Sequence, residues 1–197
     1  MKHSLSLTTL TLLFAMFYGI SVAVAQQAKP TATQDLQLSV FTGVSGVYTG
    51  LAGSRNLSLT VGGDLALSPW QGMRPILELR GTNNMLGNIV AQKDFMGGLR
   101  MDFLLGSRLH PYGDFLFGRG EMKYANGGYN FNGFTYLEST TYVYSPGVGF
   151  DYDLTTHFVI KVDGQFQTWD GPTTSGKIHP AIATIGVVYR IGWLGMP

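Results

Sequence analysis

Thr141-Tyr142-Val143-Tyr144-Ser145-Pro146-Gly147-Val148-Gly149-Phe150-Asp151-Tyr152-Asp153 alternates with a period of two. Tyr142, Tyr144, Pro146, Val148, Phe150 and Tyr152 share one face; Val143, Ser145, Gly147, Gly149, Asp151 and Asp153 share the other. After Leu154-Thr155-Thr156 the pattern resumes. Phe158, Ile160, Val162, Gly164 and Phe166 now oppose Lys161, Asp163, Gln165 and Gln167. Successive side chains of a strand point to opposite faces, so the stretch predicts a hairpin of two long amphipathic strands. Both exceed the roughly 5–6 residues of an ordinary strand. Both meet the roughly 9–11 residues with which a strand crosses a bilayer. The hairpin reads as a piece of a membrane barrel.

The same alternation recurs upstream and downstream. Strand one, from Leu36 to about Tyr48, carries Leu38, Val40, Thr42 and Val44 on one face. Strand two sets Leu57, Leu59, Val61, Leu65 and Leu67 against Ser58, Thr60, Gly62, Asp64 and Ala66. Strand three, near Arg74 to Thr82, sets Leu77 and Leu79 against Ile76, Glu78 and Arg80, and Pro75 fits only its first residues. Strand four opposes Phe95, Leu99, Met101, Phe103 and Leu105 to Met96, Gly98, Arg100, Asp102 and Leu104. Strand five begins near Tyr112, with Phe115 and Phe117 in the apolar phase and Asp114 out of it. From Gly118-Arg119-Gly120 onward, Arg119, Glu121 and Lys123 occupy the apolar phase. A bulge at the glycines or the end of the membrane portion accounts for this equally well. Strand eight sets Ala181, Ala183, Ile185, Val187, Tyr189 and Ile191 against Thr184, Gly186 and Arg190.

The expected fold is all-β: an eight-stranded antiparallel transmembrane β-barrel over residues 36–191, followed by a C-terminal tail, 192–197. Eight is an even number, as in bacterial outer-membrane barrels. Links after strands two, four and six are short. Those at 83–92, 124–139 and 170–180 are longer, which predicts periplasmic turns on one side and extracellular loops on the other. Trp70, Tyr112, Tyr152 and Tyr189 are expected in a girdle on the turn side, and Tyr48, Tyr142 and Tyr144 in one on the loop side.

The start of the chain gives the destination. Lys2 and His3 precede an apolar run from Leu10 to Val24 that ends in Val22-Ala23-Val24-Ala25. This is the form of a secretory signal peptide, 1–25, cleaved after Ala25; the alternative is an uncleaved anchor. Residues 26–35 then read as a periplasmic leader. Cleavage removes one basic residue and leaves twelve Lys+Arg against twelve Asp+Glu. A neutral chain gives no reason to expect a nucleic-acid partner. Charged residues make up 13% of the whole, about half the ~25% usual for a soluble domain. The absence of cysteine leaves neither a disulfide framework nor an acylated N-terminal cysteine.

As a pattern over the whole mature chain, the sequence resembles the small OmpA-like outer-membrane β-barrel family. Locally the resemblance is carried by Gly97-Gly98-Leu99-Arg100-Met101-Asp102, by His110-Pro111-Tyr112, by Pro146-Gly147-Val148-Gly149-Phe150-Asp151 and by Gly186-Val187-Val188-Tyr189-Arg190-Ile191. It implies a protein of the outer membrane, in contact with its lipids and delivered by periplasmic chaperones to the barrel-assembly machinery. Many relatives end the last strand on an aromatic residue, where Ile191 stands here with Trp193 two residues on. No peptidoglycan-binding domain follows strand eight, so cell-wall tethering is not carried over.

The residues with chemistry lie on the polar faces: Asp64, Glu78, Arg80, Arg100, Asp102, Asp114, Asp151, Lys161, Asp163 and Arg190. The interior of an eight-stranded barrel is just filled by side chains, so these charges are expected to form a paired, hydrogen-bonded plug. Inward glycines make room for the long arginines. A proton or ion path is the functional alternative. Asp151 and Asp153 read as solvated turn carboxylates. No His/Cys cluster has metal-ligand spacing and no phosphate loop follows the Gly-rich pieces, so no metal or cofactor is expected.

Three functions remain open. The first is a structural or recognition role for a non-enzymatic barrel through its loops. The third loop, with Tyr124, Tyr129, Phe131, Phe134 and Tyr136 among Asn and Gly, is the place for such recognition. It would meet a surface ligand of a protein or glycan kind, or its rings merely extend strands five and six as a hairpin. The second is an outer-membrane lipid-modifying enzyme drawing on Glu138, Ser139, Asp170, Ser175 and His179. The third is a soluble lipocalin-like barrel with its apolar face turned inward around a ligand.

Overall fold

A computed structural model describes residues 36–50, 54–87, 90–105, 107–125, 127–131, 133–170 and 176–193. The expected signal peptide (1–25) and leader (26–35) and residues 194–197 lie outside the described residues. Eight strands form the wall: β1 (Gln37–Tyr48), β2 (Arg55–Ala66), β3 (Met73–Leu86), β4 (Val90–Phe103), β5 (Leu109–Tyr124), β6 (Glu138–Asp153), β7 (Phe158–Phe166, resumed at Thr168–Asp170) and β8 (Ala181–Trp193). Each pairs antiparallel with the next. β8 returns to β1, from Tyr48↔Ala181 to Gln37↔Trp193, and closes the barrel. Near that end the register shifts between Leu38 and Ser39, leaving Ile191 as the extra residue and letting the ladder continue to Trp193.

Alternation decides what faces where. Val44, Val61, Leu79, Phe95, Phe115, Val148 and Ile185 are exposed on the outside, while Ser45, Thr60, Glu78, Arg100, Asp163 and Thr184 are buried inside. The lipocalin-like arrangement, with the apolar faces inward, is therefore not the one found. Closing so few strands bends each of them sharply, and glycines take the tightest points. At the β1–β8 seam Gly43 pairs with Gly186, and a Cβ on either would press into the other strand's backbone.

The hydrogen-bonded ladder reaches further than the amphipathic pattern. β4 and β5 pair in unbroken register from Asp102↔Tyr112 to Val90↔Tyr124, so no bulge occurs at Gly118–Gly120. The apolar outer phase ends there and the strand continues. β3 and β4 likewise extend to Leu86 and back to Val90, reducing the second loop to residues 87–89. β7 and the chain before β8 stay paired to Asp170↔Lys177, which shortens the fourth loop too. The expected contrast between long loops and short turns is thus carried by residues 125–137 alone. Beyond the bilayer the outward side chains become polar while the ladder persists, so a pattern search ends the strand too early. At the opposite end, Gln71 (φ 49°) and Gly72 (φ 79°) both take positive φ, and Trp70 and Met73 exchange backbone hydrogen bonds of 2.7 and 2.9 Å. That is a two-residue type I′ hairpin turn, matched to the twist of β2 and β3.

The aromatic girdles are present with one change. On the loop side Phe117 stacks on Tyr142 (5.7 Å between centroids) and leans on Tyr144 (5.1 Å). On the turn side Tyr189 packs against Phe158 (5.2 Å) and His157 (6.1 Å). Tyr112 does not belong there: it shares the parity of Asp114 and is buried in the lumen.

Val148 lies five residues from the end of β6, near mid-depth, while Ile160 lies two residues into β7. Arginine at Val148 is expected to cost about 2–4 kcal/mol and at Ile160 about 0–1 kcal/mol. Equilibrium unfolding from lipid vesicles measures both; equal costs contradict the depth assignment.

Candidate functional site

Five strands send charged side chains into the turn-side layer of the lumen, because residues two apart on each strand share the inner face. Arg100 on β4 is the hub. Its Nε donates to Asp102 Oδ1 (2.6 Å), one terminal nitrogen to Asp64 Oδ2 (3.4 Å) and the other to Asp151 Oδ2. Its guanidinium carbon stands 3.7 Å from the centre of the Tyr112 ring. Arg80 on β3 donates Nε to Glu78 Oε1 (2.7 Å) and grips Asp163 with both terminal nitrogens (2.8 and 3.3 Å). Lys161 on β7 joins the two halves, donating to Glu78 Oε2 (3.1 Å) and lying 3.8 Å from Asp64 Oδ2. Phe41 provides an apolar and π floor, 4.3 Å from Lys161 Nζ and 5.7 Å from the Arg80 guanidinium carbon. All three cations are buried almost completely.

Above this layer the lumen turns amidic. Gln165 Nε2 donates to both oxygens of Asp114 (3.0 and 2.9 Å), and its Oε1 accepts from Ser145 Oγ (2.7 Å). Gln167 Oε1 accepts from Gln92 Nε2 (2.8 Å) and Trp169 Nε1 (2.7 Å), while Gln167 Nε2 donates to Asp94 Oδ2 (3.3 Å). On the other wall Ser45 bonds to Thr60 (2.6 Å) and Thr184 (2.9 Å), and Thr60 to Thr82 (3.2 Å). The loop end is shut by an apolar cluster of Val90, Met96, Leu116, Met122, Val143 and Trp169.

Of the sequence-expected network, Asp64, Glu78, Arg80, Arg100, Asp102, Asp114, Asp151, Lys161 and Asp163 come together inside the barrel. Arg190 does not join them. It forms a two-point pair with Asp153 (2.7 and 3.0 Å) at the turn-side rim, where His110 Nε2 also lies 3.4 Å from Asp153. Asp151 is no solvated turn carboxylate; it is buried against Arg100. Nor do the inward glycines chiefly serve the arginines. A Cβ at Gly149 would meet the Tyr112 ring, at Gly147 the Gln165 amide, and at Gly120 the Trp169 indole. Sequence reading missed Gln92, Asp94 and Trp169 because the first two were placed in or beside a loop. The parity of Asp94 with Met96 and Gly98 was the available signal. Among the described residues no group of three or more His, Cys, Asp or Glu could hold a metal ion. His179 of the enzymatic set contacts Thr168 Oγ1 (3.3 Å) and pairs with no acid among the described residues.

No family model matches the chain, and no curated protein does. Solved structures do share its fold. The crystal structure of Neisserial surface protein A matches with a TM-score of 0.54 and 12% identity, over 79% of this chain and 97% of that one. The attachment invasion locus protein Ail of Yersinia pestis matches at 0.48 and 13% identity, over 81% and 100%. A de novo designed transmembrane β-barrel matches at 0.46 and 16%, over 84% and 100%. The chain has the fold of the small eight-stranded outer-membrane barrels.

Two outcomes follow from the filled lumen. Arg100→Ala strands several buried carboxylates and is expected to destabilise the barrel by about 3–5 kcal/mol. Arg190→Ala at the wetter rim is expected to lose about 1 kcal/mol or less. Denaturant titration of both variants in lipid tests the ranking. Planar-bilayer recordings of the wild type are expected to show no large, stable open level; such a level contradicts the plug.

Proposed function

We propose that this chain is a non-enzymatic outer-membrane barrel, exported by its N-terminal signal and inserted by the barrel-assembly machinery, whose loop end recognises a partner surface. The observation that supports this most directly is the connection between β5 and β6. It stands beyond the last outward charges of β5, Glu121 and Lys123, and so beyond the apolar band. Its middle folds into a hairpin of Tyr129–Phe131 and Phe134–Tyr136, with Tyr129 opposite Tyr136 and Phe131 opposite Phe134. Gly127, Gly128 and Gly133 take positive φ around it, which only glycine adopts without strain. This hairpin is a two-stranded sheet of its own, and apolar side chains on it and just after it are displayed. Phe134 and Leu137 are both about two-thirds exposed. Exposed apolar groups on a short ordered hairpin outside the membrane give contact area at low entropic cost, which suits binding of a protein or glycan surface.

The lumen supports the same reading. Its polar groups are engaged with one another rather than arrayed around a vacant reaction centre, and the loop end is closed by the Trp169 cluster.

Deleting residues 126–132 is expected to leave a heat-modifiable barrel, because no wall strand uses them, and to reduce attachment of cells to host or partner surfaces. A deletion that assembles normally and leaves every attachment phenotype unchanged overturns the recognition reading.

A further inference from the structure

The outer wall carries a second feature, on the loop side of β3–β5. After Phe115 and Phe117, the next three outward positions of β5 are Arg119, Glu121 and Lys123. Lys93 lies across from Glu121 on β4 and bonds to it at 2.9 Å, with Lys123 3.4 Å from the same carboxylate. The hydrogen bond from Lys93 holds the Glu121 carboxyl below its usual range, so it remains ionised. Arg119 forms no ion pair among the described residues; its guanidinium stands 5.2 Å from the centre of the Tyr142 ring. Three cations thus stand beside two carboxylates, Glu121 and, across from Lys123 on β6, Glu138, directly above the Phe117–Tyr142–Tyr144 aromatic group.

Beside them the wall is dented. Gly81 faces outward between Leu59, Val61 and Phe95, and a recess of about 640 Å³ opens there, with Lys93, Arg119 and Glu121 on its rim. The glycine is not forced by crowding, for a Cβ at Gly81 would make only ordinary contacts of 3.7 Å. An apolar floor of Leu59, Val61 and Phe95 next to a rim carrying Lys93 and Arg119 matches an amphiphile: an acyl chain on the floor, a phosphate at the rim. Cations beside a membrane surface attract anionic lipid by an amount worth roughly a fivefold change in affinity each.

We propose that this recess and rim dock a phosphate-bearing lipid of the outer leaflet, one acyl chain lying over Gly81 and the phosphate held between Lys93 and Arg119. The site rests on the outer-membrane reading but is independent of the hairpin at 125–137.

The test is native mass spectrometry of the full barrel in neutral detergent, titrated with bisphosphorylated lipid A or with phosphatidylcholine. Wild type is expected to prefer lipid A, less so as salt rises. Arg119→Gln and Lys93→Gln are each expected to weaken lipid A binding roughly fivefold. Gly81→Leu should weaken it with all charges kept, and Lys177→Gln, on the exposed extension before β8, should leave it unchanged. Equal loss from Lys177→Gln and Arg119→Gln overturns the proposal, as does undiminished binding by Gly81→Leu. Heat-modifiable migration of the same samples reports the barrel separately. A chain that forms no barrel counts against the membrane reading itself. Folded variants with unchanged affinity count against the lipid site alone.

Discussion

A strand edge facing hydrocarbon leaves a row of backbone N–H and C=O groups without partners, and each such group costs several kcal/mol. The β1–β8 ladder removes that edge, and most of the structure follows from it. Twelve positions of β1 find partners on β8, with a bulge at Leu38/Ser39 where the two strands slip by one residue. Once the wall is closed at eight strands, its curvature and internal width are no longer free. Glycines appear at Gly43 and Gly186 because any side chain there would meet the opposing backbone.

The width then dictates the filling. A lumen too narrow for bulk water must be packed by the inner side chains, and here those side chains are charged. Unpaired, a buried guanidinium would be ruinous; held by three carboxylates and an aromatic face, Arg100 becomes a brace between β2, β4, β5 and β6. Arg80 and Lys161 do the same for β3 and β7. Cross-links of this kind couple strands far apart around the wall, so each strand's inward parity is fixed by partners on the opposite side as well as by its lipid-facing residues.

The period of two made the strand count, the parity of most residues and eight members of the lumenal cluster legible in the sequence. What stayed hidden has physical causes. The strands' extensions beyond Thr82, before Phe95 and after Gly118 were hidden because water, unlike lipid, demands no apolar outer face, so alternation vanishes while the ladder continues. Tyr112 was placed in a girdle by its residue type although its parity pointed inward. Arg190 shares its neighbours' parity yet pairs at the rim, since it lies only one residue before Ile191, where the bulge falls, and Asp153, the last residue of β6, meets it there. Parity gives a face. It does not give a depth.

Depth matters most for the acids. The described lumen contains Arg80, Arg100 and Lys161 against Asp64, Glu78, Asp94, Asp102, Asp114, Asp151 and Asp163. One-to-one pairing is therefore impossible, and the carboxylates are sorted by height. Those in the turn-side layer share the three cations. Asp114 and Asp94, higher up, are held by the amides of Gln165 and Gln167, which donate hydrogen bonds without adding charge. One oxygen each of Asp64, Asp94 and Asp151 has no hydrogen-bond partner among the described residues. A row of cations matching all seven acids would demand more long side chains than this bore admits beside Tyr112, Gln165 and Trp169. Amides and hydroxyls hold the upper layer in less space, and that leaves room for the Trp169 cluster that closes the loop end.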